Sequence, residues 1–404
     1  MRERVVVTGV GAISPLAANL PDTWQGLVTG RSGVRELPDM PGPIGIGGVA
    51  VDFDGDAILG VRVARQFDRY SQMALLAARE ARIMAGLPAG TGDERWATLI
   101  GTGLGGIGSH DKAVRTLAAG KRSVSAYTSV TMIPSSATAA VAIEAGARGP
   151  ALTPATACAS GTDAIGLGAD MIRLGRADVV LAGAADAPIT QAALSAFAAV
   201  GAAATGEGDP AGACRPFAAD RSGLVLAEGA AVLVLESAEH ARRRGATPLA
   251  EVLGYGASND AHHLSAPEEN GVAATRALNA ALRDARVDPT DIGYVNAHGT
   301  GTLLNDRVEA RVLAKVVGDG VPVSSTKSMT GHLMGAAGAL EAAVCVQVLR
   351  TGVLPATRNC ERLDPDCAGI DVIRGDARKA DVRFAMSPSF GFGGYNAALV
   401  FGRV

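Results

Sequence analysis

Apolar residues along this chain fall into two alternating rhythms, short β-branched runs and longer stretches with helical spacing. Arg4–Val10 alternates into a strand that ends at Gly9-Val10-Gly11. Trp24–Thr29 predicts a short helix with Asp22 or Thr23 as its cap. Residues 30–60 are rich in Gly and Pro and read as irregular. Gln66–Ala85 places Phe67, Tyr70, Met73, Ala74 and Ala77 on one helical face. Ala97–Thr102 predicts a strand, and Ser135–Ala145 a helix stopped by Gly146 and Gly149-Pro150. Asp163–Leu174 has Ile165, Ala169 and Ile172 at helical spacing. Strands at Val179–Gly183 and Ala231–Leu235 and a charged helix at Ala238–Arg244 complete a first half.

The pattern then restarts after Gly245–Pro248. Strands are predicted at Leu249–Gly254, Ile292–Asn296, Phe384–Ser387 and Ala397–Phe401, and helices at Val272–Ala285, Asp306–Val317 and Ala336–Leu349. Strands alternating with helices imply a largely parallel sheet covered by helices. The repeated order of elements predicts an α/β fold of two pseudo-duplicated halves, residues 1–245 and 246–404. Two long uncharged stretches, Ser123–Ile143 and Ala187–Gly206, approach the length of a membrane span. They hold many Ala, Ser and Thr and few Leu or Ile, so they are expected between subunits or lobes, not in lipid.

Composition narrows the picture. The chain has 404 residues, 48% of them hydrophobic and 19% charged, which suits a large buried core or a tight oligomer. Aromatics make up only 4% while Gly numbers 52, so packing must rely on small side chains and close backbones. A net charge of −3 gives no overall basic field for nucleic acid. The five cysteines, Cys158, Cys214, Cys345, Cys360 and Cys367, are odd in number and form no CxxC, so neither a disulfide framework nor a zinc ribbon is indicated. Met1-Arg2-Glu3-Arg4-Val5 shows no signal-peptide core. A cytoplasmic location is the simplest expectation.

Three stretches carry candidate chemistry. In Thr153-Pro154-Ala155-Thr156-Ala157-Cys158-Ala159-Ser160-Gly161-Thr162 a cysteine stands where a loop turns into a helix. The helix dipole and free N–H groups there favour a thiolate. Alone, Cys158 fits a buried structural cysteine equally well. Tyr294-Val295-Asn296-Ala297-His298-Gly299-Thr300-Gly301-Thr302 delivers a histidine from a strand onto a Gly/Thr loop. In Ser324-Ser325-Thr326-Lys327-Ser328-Met329-Thr330-Gly331-His332-Leu333-Met334-Gly335 a lysine and a histidine share one loop, where each can shift the other's titration. A sulfur nucleophile with two imidazole N–H donors suits thioester chemistry: the sulfur takes an acyl group, and the donors hold the enolate of a decarboxylating malonyl unit. Gly101-Thr102-Gly103-Leu104-Gly105-Gly106 lacks the G-x-G-x-x-G spacing of a dinucleotide loop. His262-His263 has no matching ligand cluster, so no metal is expected.

The TACAS, NAHGTGT and KSMTGHLMGAAG segments, in this order, resemble the elongating 3-oxoacyl-[acyl-carrier-protein] synthases of the thiolase-like superfamily. The resemblance runs from Val5-Val6-Val7-Thr8-Gly9 to Phe390-Gly391-Phe392-Gly393-Gly394. It implies a thiolase-like five-layered αβαβα fold, a homodimer and decarboxylative Claisen condensation without a cofactor. By motif, Cys158 is the acylated nucleophile, and His298 and His332 promote malonyl decarboxylation. Lys327 organises the charge, with Glu309 as its expected partner. Phe392 matches the gating phenylalanine, whose N–H would share an oxyanion hole with that of Cys158. Asp260 matches a second moving loop, and Thr300, Thr302 and Phe390 are expected to touch substrate. His110 stands where an apolar residue often floors the acyl pocket, which hints at a shorter, unsaturated or functionalised chain. Arg62, Arg65, Lys121 and Arg122 match basic positions that meet an acidic acyl carrier protein. Initiating synthases carry Asn for one of the histidines, degradative thiolases use a second Cys, and chain-length-factor subunits lack the nucleophile. Leu304-Asn305-Asp306-Arg307 resembles polyketide ketosynthases as much as fatty acid ones. An alternative expectation is therefore the catalytic half of a heterodimer with a chain-length-factor partner. No nucleic acid or membrane partner is expected.

Overall fold

A computed structural model describes residues 3–40, 42–50, 52–205 and 208–404. The first half runs β1 (Val5–Ile13), α1 (Leu20–Val28), β2 (Val34–Glu36), β3 (Ile46–Gly48), α2 (Gly55–Leu59), α3 (Val61–Ala64), α4 (Arg69–Ala85), β4 (Trp96–Gly101), α5 (Ile107–Ala118), α6 (Thr128–Thr131), α7 (Ser136–Ala145), β5 (Ala151–Leu152), α8 (Ser160–Arg173), β6 (Val179–Asp186), α9 (Gln191–Ala199), β7 (Gly229–Ser237) and α10 (Ala238–Arg243). The second runs β8 (Ala250–Asn259), α11 (Val272–Ala285), β9 (Ile292–Asn296), α12 (Leu303–Val317), β10 (Pro322–Ser324), α13 (Lys327–Thr330), α14 (Ala337–Thr351), β11 (Val353–Leu354), β12 (Asp371–Val372), β13 (Arg378–Lys379), β14 (Phe384–Gly391) and β15 (Tyr395–Gly402).

Eleven strands lie in the order β5-β4-β6-β7-β1-β8-β15-β14-β9-β10-β12. The pairing pattern repeats across the join. β1 and β6 are antiparallel to β7, and β4 and β5 continue in parallel. In the second half β8 and β14 are antiparallel to β15, and β9 and β10 continue in parallel. The join itself is narrow, with Val6 opposite Glu251 and Val7 opposite Ala250. Five layers result. α4 packs on β1 and β7, α11 packs on β8 and β15, and α8 and α14 fill the middle against β6, β7 and β14. Every residue of α14 from Ala337 to Leu349 is buried, as expected of a helix that is apolar nearly all round, with only Glu341 and Gln347 polar in that span. Small residues bring α8 and α14 together: a Cβ on Gly161 would lie 2.6 Å from the Ala339 nitrogen. Close contacts of this kind require glycine, in keeping with the glycine-rich composition.

Several elements depart from the sequence expectation. α1 starts earlier, and Asn19 caps it by accepting the Asp22 N–H, so neither Asp22 nor Thr23 is the cap. Residues 30–60 hold the β2–β3 hairpin, α2 and most of the way to α3. α5 was not anticipated, and none of its residues is buried. The Ser123–Ile143 stretch is not enclosed within this chain: Val124, Tyr127, Val130, Met132 and Ile133 are exposed. The Ala187–Gly206 stretch forms α9 and a cavity wall, except for Gly206, which lies outside the described residues. Among the described residues no helix is long and apolar enough to cross a membrane.

Candidate active site

The nucleophile loop, the end of β9 and the loop after α13 meet at one point. Cys158 lies in the 3-10 turn Ala157–Ala159 that opens α8, and it is buried. Ala157 takes a left-handed backbone, φ 49°, a strained conformation that recurs at functional turns. Ser160 Oγ accepts the Thr156 N–H at 2.9 Å and steadies the turn. His332 Nε2 lies 3.2 Å from Cys158 Sγ, although 174 residues separate them. The His298 and His332 rings stand edge to face, their centroids 5.2 Å apart. One ligand atom from each of Cys158, His298 and His332 falls within 4.8 Å of the others.

Such a cluster has the spacing of a metal site, but its surroundings make it a donor site. The Met334 N–H donates to His332 Nδ1 at 3.2 Å. Lys327 Nζ lies 3.4 Å from His298 Nδ1. An Nδ1 that accepts leaves the proton on Nε2, so His332 presents Nε2–H to the sulfur, and each ring carries a proton on Nε2 instead of a lone pair for a metal. Burial and then the Lys327 charge hold both imidazoles well below the usual histidine range, and His332 adds to the effect on His298. A hydrogen bond to the Phe390 backbone pulls His298 partly back. Both rings are therefore neutral donors at physiological pH.

The sulfur departs from the sequence expectation. Burial pushes the Cys158 thiol up to about 12, outweighing Lys327 and the Phe392 N–H, which both act to lower it. The helix start favours a thiolate, but desolvation in this enclosed site is the larger effect.

Lys327 is fully buried. Its Nζ donates to the His298 carbonyl and pairs with Glu341 of α14. The expected Lys327–Glu309 pair is thus corrected. Glu309 Oε1 accepts the His298 N–H and Oε2 the Gly299 N–H, each at 2.6 Å. From α12 its carboxylate satisfies two amides of the tight histidine loop, and burial raises it to about 8. The single carboxylate in the mostly apolar α14 was the available sign that Glu341 needed a buried cation.

A cavity of about 340 Å³ opens from Cys158, His298 and His332. Thr300, Thr302, Phe390, Phe392 and Asp260 all line it, with Phe197, Val200 and Leu224 forming an apolar wall. The Phe392 ring stacks on Phe197 with centroids 6.0 Å apart.

With that geometry in view, known proteins supply the family. The model for the N-terminal domain of beta-ketoacyl synthases matches residues 2–241, and the C-terminal-domain model matches residues 249–361. The chain belongs to the beta-ketoacyl synthase family. It is 39% identical over 407 residues to 3-oxoacyl-[acyl-carrier-protein] synthase 2 of Staphylococcus aureus (strain COL), covering 99% of this chain and 98% of the relative. It is 42% identical over 411 residues to Nodulation protein E of Rhizobium meliloti (strain 1021), covering both chains completely. Among solved structures, the ishigamide ketosynthase/chain length factor superposes with a TM-score of 0.91 at 37% identity over 100% of both chains. A beta-ketoacyl synthase from Burkholderia phymatum STM815 gives 0.92 at 35% identity, again over 100% of both. The thiolase-like five-layered fold and the carbon–carbon bond-forming acyltransferase class expected from the sequence are both borne out.

In this beta-ketoacyl synthase the remaining expected residues fall in different places. Asp260 Oδ1 accepts from Asn396 Nδ2 at 2.7 Å, and its own N–H donates to the Gly394 carbonyl at 2.9 Å. The Gly393 N–H reaches the Leu264 carbonyl at 2.7 Å. The Asp260 loop and the Phe392 loop are thus tied together. His110 is exposed on α5 and does not line the cavity. In the single chain, then, His110 forms no part of the cavity wall, and it lies on the outer side of α5, whose Ile107 packs against the core. Arg62, Arg65, Lys121 and Arg122 are all exposed. Sequence reasoning missed Asp186, a carboxylate at the end of an apolar strand, which is buried beside the His332 loop.

Proposed function

We propose that this enzyme lengthens acyl chains carried on an acyl carrier protein, with Cys158 as the acylated group. The Cys158 sulfur attacks the acyl thioester, and the carrier's pantetheine thiol leaves with the proton that the cysteine loses. A malonyl thioester then enters along Thr300 and Thr302. The Nε2–H groups of His298 and His332 hold its carbonyl oxygen. As carbon dioxide departs they stabilise the enolate. The enolate carbon attacks the acyl-cysteine carbonyl, whose oxygen accepts from the Cys158 and Phe392 N–H groups. Collapse releases the 3-oxoacyl thioester, and the freed sulfur takes up a proton. No cofactor is required, because loss of carbon dioxide drives the bond formation. The observation that carries this reading is the convergence of one sulfur and two neutral imidazoles, with a ring nitrogen of each within 4.8 Å of the sulfur and of the other.

The test separates the two half-reactions. Cys158→Ala should show no acyl adduct by mass spectrometry after incubation with acyl carrier protein substrate. His298→Ala and His332→Ala should still form the adduct but lose carbon dioxide release from malonyl carrier protein by at least about 100-fold. An adduct on Cys158→Ala, or full carbon dioxide release from both histidine variants, overturns the assignment.

A second reading concerns partners. The exposed apolar face on α5, α6 and β5 supports a two-chain assembly, either a homodimer or a pair with a chain-length-factor subunit. Structural relatives include a ketosynthase solved in complex with its chain length factor from Xenorhabdus doucetiae, 28% identical with a TM-score of 0.84. In such an assembly His110 would lie at the seam, where a second chain completes the acyl pocket. Arg62, Arg65, Lys121 and Arg122 would meet the acidic carrier protein. The five free, buried cysteines support a reducing, cytoplasmic setting.

A further inference from the structure

Asp186 ends β6 with its side chain completely buried. Its carboxylate accepts four hydrogen bonds. Oδ1 takes the Thr102 hydroxyl at 2.6 Å and the Leu104 N–H at 3.0 Å. Oδ2 takes the Gly103 N–H at 2.8 Å and the Gly335 N–H at 2.7 Å. No lysine or arginine forms an ion pair with it among the described residues. One carboxylate therefore fastens two loops that come from different halves of the chain.

Those loops press together. A Cβ on Gly335 would sit 2.4 Å from the Gly103 nitrogen and 2.7 Å from Asp186 Oδ2. Gly335 directly follows Met334, which is held in a left-handed conformation, φ 53°. The Met334 N–H is the donor that fixes His332 Nδ1 as an acceptor. On the other side, the Thr102 carbonyl accepts from Ser160 Oγ at 3.1 Å, and that hydroxyl steadies the turn carrying Cys158. The chain of contacts runs from the nucleophile turn through Thr102 and Asp186 to Gly335, Met334 and His332.

We infer that Asp186 is a positioning residue: by clamping the Gly335 amide it holds the Met334 N–H on His332 Nδ1 and so keeps the His332 Nε2–H aimed at the reacting thioester. This rests on the reading of His332 as a donor in decarboxylation. Asp186 touches no substrate and acts only through that loop. A carboxylate suits the task because all four partners are donors. Asparagine, whichever way its amide lies, replaces one oxygen by a donor, and two of the four bonds lose their acceptor.

The experiment measures carbon dioxide release from malonyl carrier protein by the full-length enzyme, with acyl loading of Cys158 measured separately. Asp186→Asn should lower kcat for carbon dioxide release by about 10- to 100-fold, with KM for the malonyl carrier unchanged. In a His332→Ala background the same substitution should change nothing further, because the ring it positions is gone. Asp186→Asn within about twofold of the parent, or a loss that multiplies with that of His332→Ala, overturns the inference. Should His332→Ala itself leave carbon dioxide release intact, the role proposed for His332 falls. Loss at His332→Ala beside a silent Asp186→Asn sinks only the clamp. If Asp186→Asn does not fold, judged by its thermal unfolding, Thr102→Val takes its place. That variant removes one donor to Asp186, together with the acceptor of the Gly105 N–H at 2.8 Å, at nearly constant shape, and should give a smaller fall that likewise vanishes in the His332→Ala background. Unchanged carbon dioxide release in Thr102→Val then overturns the clamp.

Discussion

Lys327 carries its ammonium into a buried place, where Glu341 and the His298 carbonyl accept its hydrogen bonds. That cation acts on every group around it, drawing the Cys158 thiol down and keeping the two imidazoles neutral. For the imidazoles burial and Lys327 act together, so they stay uncharged donors. For the sulfur the two oppose each other, and burial wins, leaving the thiol raised to about 12. The free enzyme therefore holds Cys158 as a thiol, and proton loss accompanies arrival of the thioester. The sign for pH follows directly. Below its titration point a thiol gains thiolate as pH rises, so alkylation of Cys158 by iodoacetamide should speed up by about tenfold per pH unit from pH 7 to pH 9. Mass spectrometry of the modified peptide gives the rate. A plateau in that range would mean that the sulfur is already ionised and that the lysine outweighs desolvation.

The middle layer makes this arrangement possible, because α8 starts at the nucleophile and α14 follows His332. Their separation sets the distance from sulfur to ring. Gly161 meets backbone: a Cβ there would come within 2.6 Å of the Ala339 nitrogen and 2.9 Å of the Gly335 carbonyl oxygen. Gly168, two turns along the same helix, faces methyl carbons of Val180, Ala182 and Leu235 at 3.1 to 3.3 Å, a milder crowding that meets no backbone atom and that the Leu235 side chain can relieve in part. Gly161→Ala should thus destabilise by about 1–3 kcal/mol and slow condensation. Gly168→Ala should be near neutral, since alanine regains about 1 kcal/mol of helix propensity. Urea unfolding compares the two, and equal effects would remove the argument from backbone contact. The same elements show what the sequence could reveal. α4, α8, α11 and α12 bury a regular face, so periodicity marks them, while α14, buried all round, is marked by its long and mostly apolar run. α5 buries no residue completely, and its half-buried side is mostly Gly, Ser, Asp, Ala and Thr, so no apolar stripe betrays it. Cys158, His298 and His332 stand in motifs whose local chemistry is readable. Which acid pairs with Lys327 depends on two helices far apart in sequence, and only the folded chain decides for Glu341 over Glu309. Asp186 was missed for the same reason, since its four partners lie in other loops.

At the scale of the whole molecule the surface is incomplete. β5 ends the sheet with both of its residues exposed. Leu152 of β5 and Leu167 of α8 border an open hollow with Tyr255 and Tyr395. Around α5 and α6, Val114, Leu117, Tyr127, Val130, Met132 and Ile133 all face outward. An open strand edge beside a broad apolar face invites pairing with another chain. A chain of 40.7 kDa should accordingly run at twice that mass, or bind a chain-length-factor partner in equal proportion. Size-exclusion chromatography with light scattering distinguishes these. The double variant Tyr127→Asp with Val130→Asp should yield monomer and lose condensation, while Cys158 and both histidines remain in place. Activity of the parent chain alone as a dimer selects the homodimer; activity only after adding the partner selects the heterodimer. A parent chain that stays monomeric and fully active would refute both, because the exposed face would then have no role in building the acyl pocket.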